Sequence, residues 1–314
     1  LTKEIEKLKV LDPACGSGSF LLGAYSYLLI HHLAYYTKKD NLNKALKEER
    51  IYQAKKNSYR LRIGEKQMIL LNNIYGVDID AQAVEVTKLS LLLKLMEGES
   101  SESAGKLFKY SDTKLLPNLS DNIKCGNSLI GPDFYKDKNL SLFGNDDMKR
   151  INVFDWEDKE KGFGEIMAKG GFDCVIGNPP YIDSEEMVKS QPSIRQYCTM
   201  KYSTAKGNWD MYCVFSEKAV ALLADDGYFS FITPNKFITA PYGIFLKQYL
   251  SQYSVLILAD YSSVSVFMSD GKKINVYPVV IVVQKTNKNK KGTYFKMHEN
   301  GVIACLYAKD FGIL

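Results

Sequence analysis

The stretch Asp173-Cys174-Val175-Ile176-Gly177-Asn178-Pro179-Pro180-Tyr181 carries groups suited to acting on a planar amine. Cys174 to Ile176 read as a short apolar strand that two prolines bring to an end, because proline has no N–H for a sheet ladder. Asn178, just ahead of Pro179, is pushed into extended backbone. An amide, two stiff residues and an aromatic ring therefore stand at a strand's carboxyl end, the edge at which open α/β sheets bind ligands. The exocyclic amine of a nucleobase is a poor nucleophile because its lone pair is conjugated with the ring. Two acceptors aimed at its N–H groups, the Asn178 side-chain oxygen and the Pro179 carbonyl, draw the nitrogen toward tetrahedral geometry and free that pair. Tyr181 is then placed to stack on a base that has left its duplex. Taken alone, the four-residue pattern is more often an ordinary Pro-Pro turn after a buried strand, so the remaining chain decides.

A second turn comes early. Lys9-Val10-Leu11-Asp12 reads as a strand, Pro13-Ala14-Cys15-Gly16-Ser17-Gly18-Ser19 as a tight glycine turn, and Phe20 to about Tyr36 as a helix apolar on all sides. Gly16 and Gly18 let a ligand approach the backbone, and the helix start offers free N–H groups. Leu21 occupies the third-glycine position of a dinucleotide fingerprint and no Gly-Lys-Ser/Thr follows, so neither a dinucleotide nor a phosphate loop fits well. A ligand with an amino-acid end fits better. Its ammonium suits carbonyls and a carboxylate such as Asp12, and its carboxylate suits turn N–H groups. Ile74 to Asp80 forms a second strand ending in acid, where Asp78, followed by Ile79, is positioned for both hydroxyls of a ribose, while Asp80 reads as the N-cap of the helix Ala81–Met96. Simple turn chemistry is the alternative for Asp78. A third short strand ends in Gly126-Asn127-Ser128-Leu129, where Asn127 can bond an adenine edge.

Composition sets the frame. The chain has 314 residues, 46% hydrophobic and 25% charged, with a formal charge of +5. That is an ordinary globular composition, mildly basic, and compatible with a nucleic-acid partner without requiring one. Six scattered cysteines, with no Cys-x-x-Cys pair, argue against zinc or a disulfide framework and fit a reducing cytosol. No metal site and no membrane span are expected. The missing initiator Met suggests a piece of something longer. Residues 37–70 read as a mostly helical insertion, 132–171 as a polar insertion, and 183–209 as a polar, basic excursion with Lys189, Arg195, Lys201 and Lys206 as candidate backbone contacts to nucleic acid. Asp133, Glu157 and Lys159 form a formal nuclease pattern on loop-like sequence and are discounted. Phe267, at a loop tip, is a candidate second stacking ring or a sheet-packing residue. Residues 291–314 read as a weakly strand-like tail or the start of a following module, after a catalytic domain over 1–290.

Together these motifs resemble the N6-adenine amino-methyltransferases of the gamma motif order, found in type IIG and related type II restriction–modification enzymes. Leu11 to Phe20 (with Asp12, Pro13, Ala14, Cys15, Gly16, Gly18 and Phe20) resembles the family's methionine-binding motif, Gly76-Val77-Asp78-Ile79-Asp80 its ribose motif, and Gly126-Asn127-Ser128-Leu129 its cofactor-adenine motif. Asn178-Pro179-Pro180-Tyr181 resembles the catalytic motif. Asp210-Met211-Tyr212, Phe231 to Phe237 and Ser265-Val266-Phe267 follow in the family's order. The resemblance implies a Rossmann-like, seven-stranded methyltransferase fold with insertions and a late antiparallel strand. It implies S-adenosylmethionine as cofactor, adenine N6 in duplex DNA as target, stacking of that base by Tyr181 and Phe267, and a cytoplasmic location. Implied partners are a target-recognition domain or specificity subunit and a nuclease domain. Methylation of a protein glutamine or an RNA adenine stays open, as does a non-catalytic DNA-binding scaffold; a nucleotide-dependent oxidoreductase is disfavoured by the glycine spacing.

Overall fold

In the computed structural model the residues described are 2–56, 58–99, 116–136, 151–262, 268–269, 272–273, 277–286, 292–298 and 301–307. They divide into two units, Leu1–Cys125 and Gly126–Leu314.

The first unit runs α1 (Thr2–Ile5), β1 (Val10–Asp12), α2 (Ser19–Tyr36), α3 (Lys39–Lys47), β2 (Ile51–Lys55), β3 (Ser58–Leu61), α4 (Ile63–Asn73), β4 (Ile74–Asp78), α5 (Ala81–Met96) and β5 (Ile123–Cys125). Strands β1, β4 and β5 lie side by side and parallel, with Asp12 opposite Gly76 and Asp78 opposite Cys125. Parallel pairing brings the carboxyl ends of β1 and β4, and so both turns, to one edge. Helix α2 is apolar nearly all round in sequence, yet one stripe, Leu21, Tyr25, Leu28, His32 and Tyr36, is buried, while Tyr27 and Ile30 are exposed. Among the described residues no helix is long and apolar enough to cross a membrane.

The 37–70 stretch, expected as mostly helical, contains the antiparallel hairpin β2–β3, with Ile51 opposite Leu61. Both of these residues are buried, one at the open end of each strand, too little alternation to announce a hairpin among polar neighbours. A polar cluster anchors the hairpin. The Arg50 guanidinium donates to Tyr36 Oη at 2.9 Å and Glu6 at 3.1 Å, and Tyr36 donates to Glu65 at 2.6 Å. Burial alone would raise the Glu65 carboxyl; the neighbouring His32 ring at 3.6 Å, the hydrogen bond from Tyr36 and the charge of Arg50 win and hold it low.

The second unit carries α6 (Gly164–Met167), β6 (Phe172–Gly177), α7 (Ser184–Ser190), α8 (Pro192–Lys201), α9 (Met211–Leu222), β7 (Leu223–Pro234), α10 (Lys236–Thr239), α11 (Gly243–Leu250), β8 (Ser254–Asp260), the small pair β9 (Met268–Ser269) and β10 (Lys272–Lys273), β11 (Pro278–Gln284), β12 (Thr293–His298) and β13 (Gly301–Tyr307). Its strand order is β6-β7-β11-β8-β12-β13. β6 and β7 are parallel, whereas β11 is antiparallel to both β7 and β8. The seven core strands of the expected fold are therefore present: β1, β4 and β5 in the first unit, β6, β7, β8 and β11 in the second, with β11 as the late antiparallel strand.

Local detail goes beyond the sequence reading at three places. The excursion 183–209 holds two helices, α7 and α8; Asp183 caps the first by accepting from Glu186 N–H, and Pro192 stands in the opening turn of the second. Strand β7 begins directly after α9, and Asp225-Asp226-Gly227 forms a bulge inside it. The register jumps from Phe172 opposite Leu223 to Cys174 opposite Tyr228, with Asp226 at φ 60°. The tail pairs with the sheet, since β12 lies parallel to β8 and β13 antiparallel to β12.

Candidate active site

In the first unit, Gly16 (φ 52°) and Gly18 (φ 84°) both adopt left-handed backbone. At Gly18 a Cβ would sit 2.9 Å from the Thr87 side chain, whereas at Gly16 nothing lies within 4 Å. The turn is thus pressed against α5 on one side and open above Gly16. Three side chains hold it. Asp12 accepts from Ala14 N–H at 3.0 Å. Asp78 accepts from Gly16 N–H at 2.7 Å and, through its other oxygen, from Asp80 N–H at 2.9 Å. Thr87 donates its hydroxyl proton to Gly16 C=O at 2.8 Å. Asp78 is therefore first a clamp joining the two turns, and each of its oxygens keeps a further lone pair for an incoming hydroxyl. Asp80 is the N-cap of α5, accepting from Gln82 N–H.

Asp12 is 1% exposed. Burial pushes its carboxyl up to about 7, the Ala14 N–H pulls it back, and the charge of Asp78 raises it further. A buried carboxyl with one backbone partner is suited to a cation such as an ammonium. Cys15 is buried, and Phe20 and Ile79 are 39% and 47% exposed. Pro13 and Ala14 complete the turn after β1. Thr87 could not be singled out in sequence; its only signal is a hydroxyl within an otherwise apolar helical stripe.

In the second unit, Asn178, Pro179 and Pro180 follow β6 directly. The Asn178 side-chain oxygen is buried and has no hydrogen-bond partner. An unpaired buried acceptor of this kind costs about 1–3 kcal/mol, and this one stands at the carboxyl end of a strand, free for a donor. Tyr181 donates its hydroxyl proton to Ile232 C=O on β7 at 3.1 Å, and its ring meets Tyr212 edge-on with centroids 6.5 Å apart. Burial raises the Tyr181 hydroxyl well above its usual range, so the phenol keeps its proton and its anchor. Asn127 is buried, accepts from Leu129 N–H through Oδ1 at 3.1 Å, and pairs with Asn152 and Val153. The Ser128 carbonyl accepts from the Trp156 indole N–H at 3.0 Å. Phe267 lies outside the described residues.

Two of the four basic residues expected to meet a nucleic-acid backbone are committed internally. Arg195 stacks over Trp209 at 5.6 Å and donates to Ser184 Oγ, and Lys201 pairs with Asp133. Asp133 also accepts from Tyr197 Oη at 2.7 Å. Its part in a nuclease pattern is thereby displaced by a structural one, and among the described residues no cluster of His, Cys, Asp or Glu could hold a metal. Cys15, Cys174, Cys198 and Cys213 are free thiols.

The parallel βαβ arrangement of the first unit and the late antiparallel strand of the second are those of a Rossmann-like methyltransferase fold. Solved structures share the fold. The DNA-bound type IIL restriction–modification enzyme MmeI matches with a TM-score of 0.60 at 15% identity over 98% of this chain and 35% of that chain. A nuclease-deletion mutant of the type ISP enzyme LlaGI with a DNA substrate mimic matches at 0.56 and 13% over 98% and 22%.

Residues 72–267 match the Eco57I restriction-modification methylase family and residues 1–122 the N-6 DNA methylase family; the chain belongs to the Eco57I restriction-modification methylase family. Among curated relatives it is 32% identical to the type II restriction enzyme and methyltransferase RM.Eco57I of Escherichia coli over 93% of this chain and 26% of that protein. It is 24% identical to the adenine-specific methyltransferase PglX of Streptomyces coelicolor over 76% and 18%. The chain thus spans about a quarter or less of the length of these relatives.

Proposed function

We propose that this chain is the catalytic part of a DNA methyltransferase that moves a methyl group from S-adenosylmethionine to adenine N6 within a restriction–modification system. The observation that carries the reading is the buried, unpartnered Asn178 oxygen at the end of β6, followed by two prolines and an anchored Tyr181. Family membership favours DNA adenine over a glutamine or RNA substrate.

The residues of the first unit suit the cofactor's amino-acid end and ribose. Gly16 leaves room for close approach, Asp12 offers a buried carboxyl to the ammonium, and Asp78 keeps lone pairs for ribose hydroxyls. Phe20, Ile79 and the Asn127-Ser128 turn are the proposed contacts for the rest of the nucleoside. When bound, S-adenosylmethionine supplies a methyl group on a sulfonium, whose charge disappears as the carbon–sulfur bond breaks. Asn178 Oδ1 and the Pro179 carbonyl accept the two N–H groups of the adenine amine. They thereby turn its lone pair toward the methyl carbon, while Pro180 keeps the strand end stiff and Tyr181 faces the base. The amine nitrogen gains the methyl and sheds one proton to solvent. No strong base is required, so alignment and exclusion of water supply most of the rate. Duplex DNA, a target-recognition domain or specificity subunit, a nuclease domain, and a cytoplasmic setting belong to this reading.

The test is tritium transfer from labelled S-adenosylmethionine to DNA by the full-length protein, paired with a thermal-shift titration using NAD as control. Ligand binding to the folded state raises apparent stability by mass action. Label in DNA and a shift with S-adenosylmethionine alone are expected. A shift without transfer to any DNA would turn the reading toward a scaffold.

A further inference from the structure

Behind Tyr181 lies a chain of three polar side chains for which the proposed chemistry has no direct use. Tyr212, fully buried at the start of α9, meets the Tyr181 ring edge-on. Its hydroxyl lies 3.0 Å from Tyr242 Oη, and Tyr242 donates its own proton to Asp210 Oδ2 at 2.8 Å. Because that proton is committed to the carboxylate, Tyr212 is the donor in the tyrosine pair. The chain therefore has one direction, from Tyr212 through Tyr242 to Asp210. Burying the Asp210 carboxylate and the Tyr212 phenol is costly unless each is satisfied, and the half-buried Tyr242 hydroxyl satisfies both.

Backbone contacts hold both ends of the chain. Met211 N–H donates to Ile182 C=O at 3.0 Å, which ties the residue after Tyr181 to the residue after Asp210. Tyr242 is followed by Gly243, where a Cβ would fall 1.9 Å from the Phe237 carbonyl oxygen. That approach admits only glycine and sets α11 tightly against α10. Phe237 in turn packs on Tyr212, with centroids 6.3 Å apart. With its hydroxyl held by Ile232 C=O and its ring edge by Tyr212, the Tyr181 ring has both its tip and its tilt fixed.

Building on the proposed function, we infer that Asp210 and Tyr242 are positioning residues: through Tyr212 they set the plane of Tyr181, and with it the angle at which the flipped adenine is presented to Asn178. Neither residue touches the reacting atoms in this account. Tilting a stacked base by a fraction of an ångström at its amine is enough to lose rate without losing affinity, since a misplacement of about 1 Å costs about a hundredfold.

The experiment uses the full-length protein and the site it methylates, found by sequencing methylated DNA from cells that express it. Wild type, Tyr242→Phe, Asp210→Ala and Asp210→Asn are compared on a duplex carrying that site, and on the same duplex with 2-aminopurine in place of the target adenine. Tyr242→Phe and Asp210→Ala are expected to lower kcat about ten- to a hundredfold with the KM for S-adenosylmethionine unchanged. The fluorescence of the flipped 2-aminopurine should rise as its stacking loosens. Asp210→Asn keeps an acceptor for the Tyr242 proton and should retain kcat within about threefold. As a readout independent of turnover, 3-fluorotyrosine at position 181 should give one sharp 19F line in the ligand-free wild type and a shifted, broadened line in Tyr242→Phe. Lower thermal stability in Tyr242→Phe with unchanged kcat, 2-aminopurine signal and 19F line would overturn the positioning role and leave a structural one. Absence of methylation by the wild type would instead defeat the functional reading beneath it.

Discussion

The two chemistry-bearing turns solve the problem of buried polar groups in opposite ways. Around Gly16, N–H and C=O groups are already paired: Asp78 with Gly16 N–H, Asp12 with Ala14 N–H, Thr87 with Gly16 C=O. The turn is shaped by its own hydrogen bonds, and a ligand is offered only spare lone pairs and open space. At the end of β6 shape comes from proline stiffness and the Tyr181 anchor, and the central acceptor is left without a partner. The first design gives a cradle that stands without its ligand. The second leaves a hydrogen bond unmet, which the amine of the proposed substrate would supply. The contrast says where a mutation should be felt, as stability in the first turn and as rate in the second.

The sharpest way to break that contrast is Asn178→Ala. Transfer should fall by at least about a hundredfold, with the shift on adding S-adenosylmethionine largely kept. Thermal stability should hold or rise, because removing an unsatisfied buried acceptor relieves its cost. A large stability loss without a rate loss would reverse the assignment. Asp78→Ala should show the other behaviour, losing about 1–3 kcal/mol of stability in a denaturant titration because two backbone N–H groups lose their acceptor, together with weaker S-adenosylmethionine binding.

Lys218 offers an independent electrostatic check on the second unit. Its ammonium lies over the Trp156 ring at 5.4 Å, and burial pulls its pKa down to about 8 against the attraction of Asp133, Glu157 and Asp155. With the folded value below the unfolded one, wild-type stability rises with pH between about 8 and 10.5. Lys218→Met should therefore stabilise by about 1–3 kcal/mol at pH 7, a gain that shrinks over that window; a flat difference across pH would refute it.

The smallest expected effect is on cofactor affinity at Asp12. The raised carboxyl, at about 7 in the free protein, must ionise to hold an ammonium. Affinity for S-adenosylmethionine should accordingly increase from pH 6 to pH 8, and Asp12→Asn should flatten the profile. The same raised value means that the ligand-free protein loses stability as pH climbs through about 7, since the folded state binds the extra proton below it.

Legibility in sequence followed the range of the interaction. The βαβ turns were readable because glycine, proline and acidic caps act within a few residues of themselves: Asp80 caps α5 and the two strands end where Asp12 and Asp78 stand. The hairpin at 51–61 was not, because its two inward residues, Ile51 and Leu61, are outnumbered by Lys, Gln and Arg, and they meet across the hairpin rather than along one strand. The Thr87 clamp and the Tyr212–Tyr242–Asp210 chain were hidden for the same reason. Thr87 meets Gly16 across 71 positions and Tyr242 meets Asp210 across 32, and no local pattern announces such a bond. Lys201 and Arg195 show the converse: a run of basic residues looked outward in sequence, and two of its members are turned inward by Asp133 and Trp209.

The most direct measurement is nucleoside mass spectrometry of DNA from cells lacking endogenous adenine methylation that express the full-length protein or its Asn178→Ala variant. N6-methyladenine is expected with the wild type and none above background with the variant. Equal N6-methyladenine in both, or a methylated base other than adenine, would contradict it.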